Sequence, residues 1–361
     1  MGFVQTEERR TAEVDEFRRE LAAHAGIHRR KDDDKDLGEK EKCIDIGDDE
    51  DETTLVCVTS GLSYLGIALV NHLLLRGYSV RITVDNPEEM REMETTGEMS
   101  PKNQNLEVVM AKLTDMDSLV QAFEGCRGVF HTSAFVDPAG HSGYTKSMAG
   151  IEVKVTEIVM EACARTSSVQ RCVFTSSLAA CVWQDLDNAQ PHLSLVINDR
   201  SWNSESLCTD KKLWYALGKM RAEKTAWRVA NKRGLKLTTI CPALITGREF
   251  CRRNPTATIA YLKGAQEMYS HGVLATVDVV KLAEAHECVF KAMNRNACGR
   301  YICFDKVIEC QGEAEKLAKE INMPKDKICV DASNNSLHRF QLSSEKLRRL
   351  MSRPVRCHNQ Y

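Results

Sequence analysis

The chain has 361 residues, with 49 Lys and Arg against 51 Asp and Glu, a formal net charge of −2 and a sequence pI near 6.6. This balance argues against a nucleic-acid binder working by bulk electrostatics, and no apolar run reaches the ~18 residues that a transmembrane helix needs. The 15 cysteines are scattered without a C-x-x-C pair, and Met1–Arg10 lacks an apolar core for export. They read as reduced thiols of a cytoplasmic protein, with no metal site expected.

Residues 1–53 differ from the rest. Val14, Phe17, Leu21 and Ala25 recur at helical spacing and predict a short amphipathic helix. Two charge blocks follow, Arg29 to Lys35 and Asp48 to Glu52, and residues 28–52 read as a solvated linker. Residues 1–27 are a candidate surface for a protein partner, although a passive extension explains them as well.

The globular region opens at Thr54. Leu55–Thr59 is a short apolar run typical of a buried strand. A Gly/Ser turn follows, then a helix over 64–76 stopped at Gly77. Strands are predicted at 78–84, 106–110, 128–132, 171–176 and 237–241. Helices are predicted from Pro87, over 116–123, over 147–166, and from the Tyr215 segment to Lys232. Strand-helix alternation of this kind predicts an α/β fold, a parallel sheet covered on both faces. A strand, Gly turn, helix and strand within about thirty residues is the opening unit of a dinucleotide fold. Gln184–Lys212 reads as a long polar loop, and loops of that length are usually functional or disordered. Helices are expected further on at 257–268, 277–293 and 313–320. The reading divides the chain into an extension (1–53), a nucleotide-binding core (54–250) and a small C-terminal substrate-covering region (251–361).

The segment Trp214-Tyr215-Ala216-Leu217-Gly218-Lys219 carries the chemistry. Tyr215 and Lys219 are four residues apart, which puts both on one helix face. An ammonium beside a phenol favours phenolate, so the Tyr215 pKa is expected to fall from ~10 toward neutrality. Such a tyrosine can protonate a carbonyl oxygen. The bland alternative is a tyrosine at the edge of an amphipathic helix beside a solvated lysine.

Three ordered stations strengthen the chemical reading: Thr59-Ser60-Gly61-Leu62-Ser63-Tyr64-Leu65-Gly66, Phe174-Thr175-Ser176-Ser177, and Trp214-Tyr215-x-x-x-Lys219. With Gly128–Thr132, Asp199-Arg200-Ser201-Trp202, Ala222–Trp227 and Val277-Asp278-Val279, they resemble an extended short-chain dehydrogenase/reductase. The likeness is to the plant cinnamoyl-CoA reductase and dihydroflavonol reductase group, over about residues 54–320. It implies a Rossmann-type doubly wound sheet with a small C-terminal substrate subdomain. The implied activity is NAD(P)H-dependent reduction of a small-molecule carbonyl or CoA-thioester, phenylpropanoid or otherwise aromatic. Ser177 would hold the carbonyl, Tyr215 donate the proton, and Lys219 tune Tyr215 and bind the nicotinamide ribose. The resemblance also implies cofactor contacts from Gly61, Ser63, Tyr64, Leu65, Gly66, Asp85, Lys112, Leu113, Thr132, Ser133, Pro242, Ala243, Leu244 and Ile245.

Three departures keep alternatives open. Ser60 and Ser63 replace glycines of the family's phosphate turn, although the Ser63 hydroxyl can itself meet a phosphate and a helix N-terminus still faces it. Asp85 stands where an arginine commonly meets the NADP 2′-phosphate; an acid there suits the NAD ribose, and Lys112 is the candidate to restore positive charge. The resemblance favours NADP, the residues NAD. Leu213, Ala216 and Leu217 depart from the N-W-Y-C-Y-G-K of cinnamoyl-CoA reductases, which weakens hydroxycinnamoyl-CoA as substrate. A nucleotide-sensing or partner-binding protein on a degenerate reductase scaffold, and a nucleotide-sugar epimerase or dehydratase, are the other readings.

Overall fold

The computed structural model describes residues 54–88, 91, 104–132, 144–185, 195–248, 250, 255–329 and 340–352. The expected N-terminal helix, its linker, most of the helix after Pro87, and Ser133 lie outside the described residues.

Five apolar runs make the first strands, β1 (Leu55–Thr59), β2 (Ser79–Val84), β3 (Leu106–Met110), β4 (Gly128–His131) and β5 (Arg171–Thr175). Further strands are β6 (Leu195–Ile197), β7 (Lys236–Pro242), β8 (Leu244–Thr246), β9 (Ala275–Asp278), β10 (Gly299–Cys303), β11 (Lys306–Val307) and β12 (Phe340–Leu342). Seven strands form one parallel sheet in the order β10-β7-β5-β4-β1-β2-β3. Strands β4 and β5 are buried along their whole length, as strands covered on both faces must be. Among the described residues beyond 250, β10 returns to this sheet beside β7.

The helices are α1 (Tyr64–Leu75), α2 (Met116–Phe123), α3 (Lys146–Arg165), α4 (Glu205–Asp210), α5 (Trp214–Arg233), α6 (Pro255–Tyr261), α7 (Ala265–Ser270), α8 (Val279–Ala292), α9 (Gln311–Glu320) and α10 (Glu345–Met351). Helix α1 packs on α8, and α2, α3 and α5 pack in succession. His72 of α1 meets Glu287 of α8 at 2.9 Å. On the outer part of the α3–α5 pair, Arg228 meets Glu157 at 2.9 Å and Arg233 meets Glu161 at 2.8 Å. The pair's inner end carries the candidate site residues Tyr215 and Lys219. Helix α5 stops where Gly234 takes a left-handed conformation, φ 71°, which glycine adopts without steric cost.

The structure differs from the sequence reading in three places. The single helix expected over 257–268 is two, α6 and α7, because Gly264 at φ 88° interrupts it. The helix expected from Val277 begins at Val279, since residues 275–278 pair as β9 with β8 and β11. The polar stretch 184–212 contains α4 and β6, and β6 pairs in parallel with β12. Short strands of this kind carry no period of their own; distant partners create them.

Candidate active site

In this strand order the direction of winding reverses between β1 and β4. Open α/β sheets bind ligands at such a point, outside the carboxyl ends of the strands. There, Thr59 Oγ1 and His131 Nδ1 are 2.8 Å apart, and the Thr132 hydroxyl donates to the Thr59 carbonyl at 2.6 Å. Burial first, and the Lys219 charge second, push the His131 imidazole down to about 3. It is a neutral clamp between the two strand ends.

The turn after β1 is tight. Ser60 holds φ 52°, a left-handed conformation that costs a non-glycine residue about 1–2 kcal/mol. Its carbonyl accepts from Ser63 N at 2.9 Å. Ser63 then caps α1, its Oγ accepting from Gly66 N at 3.0 Å. That bond occupies an oxygen lone pair and leaves the hydroxyl hydrogen to donate. A Cβ on Gly66 would lie 2.3 Å from the Ser60 carbonyl oxygen, and one on Gly61 would lie 2.5 Å from Ile82 Cγ2. Both glycines are therefore required by close approach, whereas Ser60 tolerates its conformation under strain.

The second half of the site comes from β5 and α5. Ser177 follows β5 and caps a short 3₁₀ turn, accepting from Ala179 N at 3.2 Å. Tyr215 is the second residue of α5, and Lys219 is one turn further on. Their spacing brings the Lys219 ammonium to 5.8 Å from the Tyr215 ring centre. Lys219 is 2% exposed, and its Nζ lies 2.6 Å from Glu152 Oε1 on α3. The Tyr144 hydroxyl donates to the other Glu152 oxygen. The Tyr144 ring stands edge-on to Tyr215 at 5.3 Å, with Tyr261 on another side at 6.5 Å.

This arrangement corrects the expected acidity of Tyr215. Its pKa lies above the usual phenol value. Burial pushes it up, Lys219 pulls it down, Glu152 pushes it up and Ser177 pulls it down. The ammonium is present, since Lys219 is held above its ordinary value: burial opposes the charge, but Glu152 and Tyr215 outweigh it. Its field at Tyr215 is opposed by the carboxylate behind it. The spacing of Tyr215 and Lys219 could not reveal this, because Glu152 arrives from another helix.

A charged network lies beneath the cleft. Ser176 Oγ donates to Glu223 Oε2 at 2.7 Å, and Glu223 Oε1 receives Thr239 Oγ1 at 2.5 Å and Arg300 Nε at 2.7 Å. Glu223 and Arg300 are 0% and 3% exposed. Arg300 also stacks on Trp202 at 3.6 Å.

One cleft of about 640 Å³, counting its open mouth, joins the two halves. Of the residues expected from sequence, Ser63, Tyr64, Leu65, Thr132, Ser177, Tyr215, Lys219, Pro242, Ala243, Leu244 and Ile245 line it. Gly61 and Gly66 shape the turn from behind. Asp85 and Lys112 are exposed and Leu113 is half-buried after the ends of β2 and β3; none of these three is among the cleft's lining residues. Thr175, Ser176, Ala257, Thr258 and Tyr261 also line it and were not expected. The last three come from α6, which carries no motif. No helix among the described residues is long and apolar enough to cross a membrane.

The strand order and the three motifs in sequence place the chain among extended short-chain dehydrogenases/reductases. More narrowly, it belongs to the 3-beta hydroxysteroid dehydrogenase/isomerase family, whose model matches residues 57–307. It is 33% identical to cinnamoyl-CoA reductase 1 of Petunia hybrida over 302 residues, covering 82% of this chain and 86% of the relative. It is 31% identical to anthocyanidin reductase of Arabidopsis thaliana over 261 residues, covering 68% and 74%. Among solved structures it is similar in fold to vestitone reductase from alfalfa, with TM-score 0.60 and 23% identity over 82% of this chain and 91% of that one. The yeast methylglyoxal/isovaleraldehyde reductase complexed with NADPH gives TM-score 0.62 and 19% identity over 82% and 93%.

Proposed function

We propose that the protein is an NAD(P)H-dependent reductase of a small-molecule carbonyl or acyl-CoA substrate, of phenylpropanoid or other aromatic type. The observation that carries this reading is a cleft that joins the N-terminus of α1 to Ser177, Tyr215 and Lys219. The residues fit a dinucleotide. A turn closed so tightly that Gly66 has no room for a Cβ presents the start of a helix to the cleft, and helix N-termini favour phosphate. Ser63, Tyr64 and Leu65 would hold the pyrophosphate and Lys219 the nicotinamide ribose; Pro242–Ile245 would line the nicotinamide end. The bound nicotinamide supplies the hydride.

The side chains divide the remaining work. Ser177 Oγ donates to the substrate carbonyl and orients it. Tyr215 gives its O–H proton to the oxygen that gains negative charge. Lys219 stabilises the phenolate left behind. Tyr261, Leu244, Ile245 and Ala257 make the cleft wall largely apolar and aromatic, which suits a planar aromatic substrate. NADP is favoured by the relatives, and Asp85 leaves NAD in contention.

Titration of the purified protein with NADPH and NADH, read by nicotinamide fluorescence, tests the cofactor. Tyr215→Phe then tests the chemistry: turnover on an accepted carbonyl falls ~10²- to 10⁴-fold, the usual general-acid contribution, with the nicotinamide dissociation constant nearly unchanged. Absence of binding by either nucleotide overturns the enzyme reading. Equal turnover of variant and wild type removes Tyr215 from the mechanism.

A further inference from the structure

Behind Lys219 the chain buries a carboxylate that a Ser-Tyr-Lys arrangement does not require. Glu152 is 5% exposed and sits 2.6 Å from the ammonium. It belongs to a built unit. Gly218, between Tyr215 and Lys219, has no side chain, and a Cβ there would lie 2.6 Å from Tyr144 Oη and 3.1 Å from Ala149 Cα. The missing Cβ lets α3 and the Tyr144 hydroxyl close on α5. That hydroxyl donates to Glu152, and Glu152 faces Lys219. Helix-to-helix approach, hydroxyl, carboxylate and ammonium thus form one chain of contacts ending at the candidate proton donor.

We propose that Glu152 is a positioning residue of the active centre, which offsets part of the Lys219 charge from behind, helps the buried Tyr215 stay a phenol, and biases the centre toward protonating a carbonyl over deprotonating an alcohol. This rests on the reductase reading above. In reduction, the carbonyl carbon accepts hydride from reduced nicotinamide, and the C=O π pair moves to oxygen. The Tyr215 O–H bond breaks, and its proton joins that oxygen; the phenolate later recovers a proton from solvent. In oxidation, Tyr215 must start as phenolate, take the alcohol proton, and see the carbon lose hydride to the oxidised nicotinamide. A centre that keeps the phenol form at neutral pH is ready for the first reaction and scarcely populated for the second.

An unopposed cation within ~4–6 Å lowers an acid's pKa by about 1–3 units. A carboxylate in contact with that cation turns it into a dipole, whose field at the phenol is weaker. The other titratable groups facing this centre among the described residues do not replace Glu152. Tyr144 and Tyr261 are both pushed up by burial, and His131, at the end of β4, is neutral. Tyr215 itself lies above its ordinary value, through burial first; Lys219 then pulls it down and Glu152 pushes it back up.

The test reads ionisation, not turnover. Protein carrying tyrosine labelled with ¹³C at Cζ is titrated by NMR between about pH 6 and about pH 11, spanning the ordinary phenol value, with no nucleotide present. The Tyr215 resonance is assigned from Tyr215→Phe. In the wild type Tyr215 remains a phenol through neutral pH. In Glu152→Gln it ionises at least about one unit lower, and in Glu152→Asp, which keeps the charge, it titrates as in the wild type. Glu152→Ala is the second charge-removing variant if Gln disturbs the fold, as judged by the melting curve. A Tyr215 that ionises near neutrality in the wild type overturns the proposal without any variant. Identical titration of wild type and a folded Gln or Ala variant overturns it too. Failure of the protein to reduce any carbonyl overturns the reductase reading and leaves this titration to judge Glu152 separately.

Discussion

Arg300→Met removes the cation from the buried network under the cleft while keeping a side chain of similar reach. In the native chain Arg300 Nε and Nη2 lie 2.7 and 3.2 Å from the two Glu223 oxygens, and Arg300 also donates to the Ser201 carbonyl. The substitution leaves a fully buried carboxylate with only Ser176 and Thr239 as close oxygen-bound donors. Breaking a buried pair from one side costs about 3–5 kcal/mol, and the lost bond to Ser201 adds about 1 kcal/mol. At about 2–4 °C per kcal/mol for a large domain, the melting temperature falls by about 8–24 °C. The pH dependence is diagnostic. The native Glu223 carboxyl is held below the usual carboxylate range: burial pushes it up, but Arg300, Ser176 and Thr239 outweigh burial. A depressed folded pKa contributes stability above the unfolded value of ~4.3, and that stability is lost as pH falls through the folded value. Without Arg300, burial dominates and the folded pKa rises above ~4.3, so the variant gains stability relative to wild type as pH falls from about 7 toward about 5. Melts followed by circular dichroism across that range measure both effects. The double variant Glu223→Gln/Arg300→Met, which buries no charge, recovers more than half of the loss. A single variant melting within about 2 °C of wild type, with a gap independent of pH, refutes the account of this network.

Gly66→Ala places a Cβ 2.3 Å from the Ser60 carbonyl oxygen. Relief requires backbone movement, and overpacking of this kind costs about 1–3 kcal/mol. Opening the turn weakens nicotinamide dinucleotide binding at least about tenfold, read by fluorescence titration; unchanged affinity means that this turn does not hold the cofactor. For cofactor choice, Asp85→Arg exchanges a negative charge for a fork of donors that suits a 2′-phosphate, so the NADPH-to-NADH preference rises at least about tenfold. If Lys112 already neutralises that phosphate, Lys112→Ala weakens NADPH binding and Asp85→Arg adds little. An unchanged ratio in both variants shows that neither side chain meets the ribose.

Much of the sheet was legible because its strands are local patterns. Leu106–Met110 and Met116–Phe123 occupy the residues their periodicity indicates, and the parallel order follows from strands separated by helices. The Tyr215–Lys219 pair was legible for the same reason: a spacing of four residues has one geometric meaning on a helix. The acidity of Tyr215 was not legible. It is set by burial first, and then by Lys219 against Glu152, whose approach follows the packing of α3 on α5 and the space left at Gly218. No motif in the sequence marks Arg300, and its burial against Glu223 follows only from β10 pairing with β7. Tyr261, the last residue of α6, joins the cleft from a helix that carries no motif. The sequence by itself determined the elements and the spacing within each of them, because those are properties of neighbouring residues. The tertiary structure decided which charges face each other across elements, because a buried charge takes its state from groups that only the folded chain brings within a few ångströms.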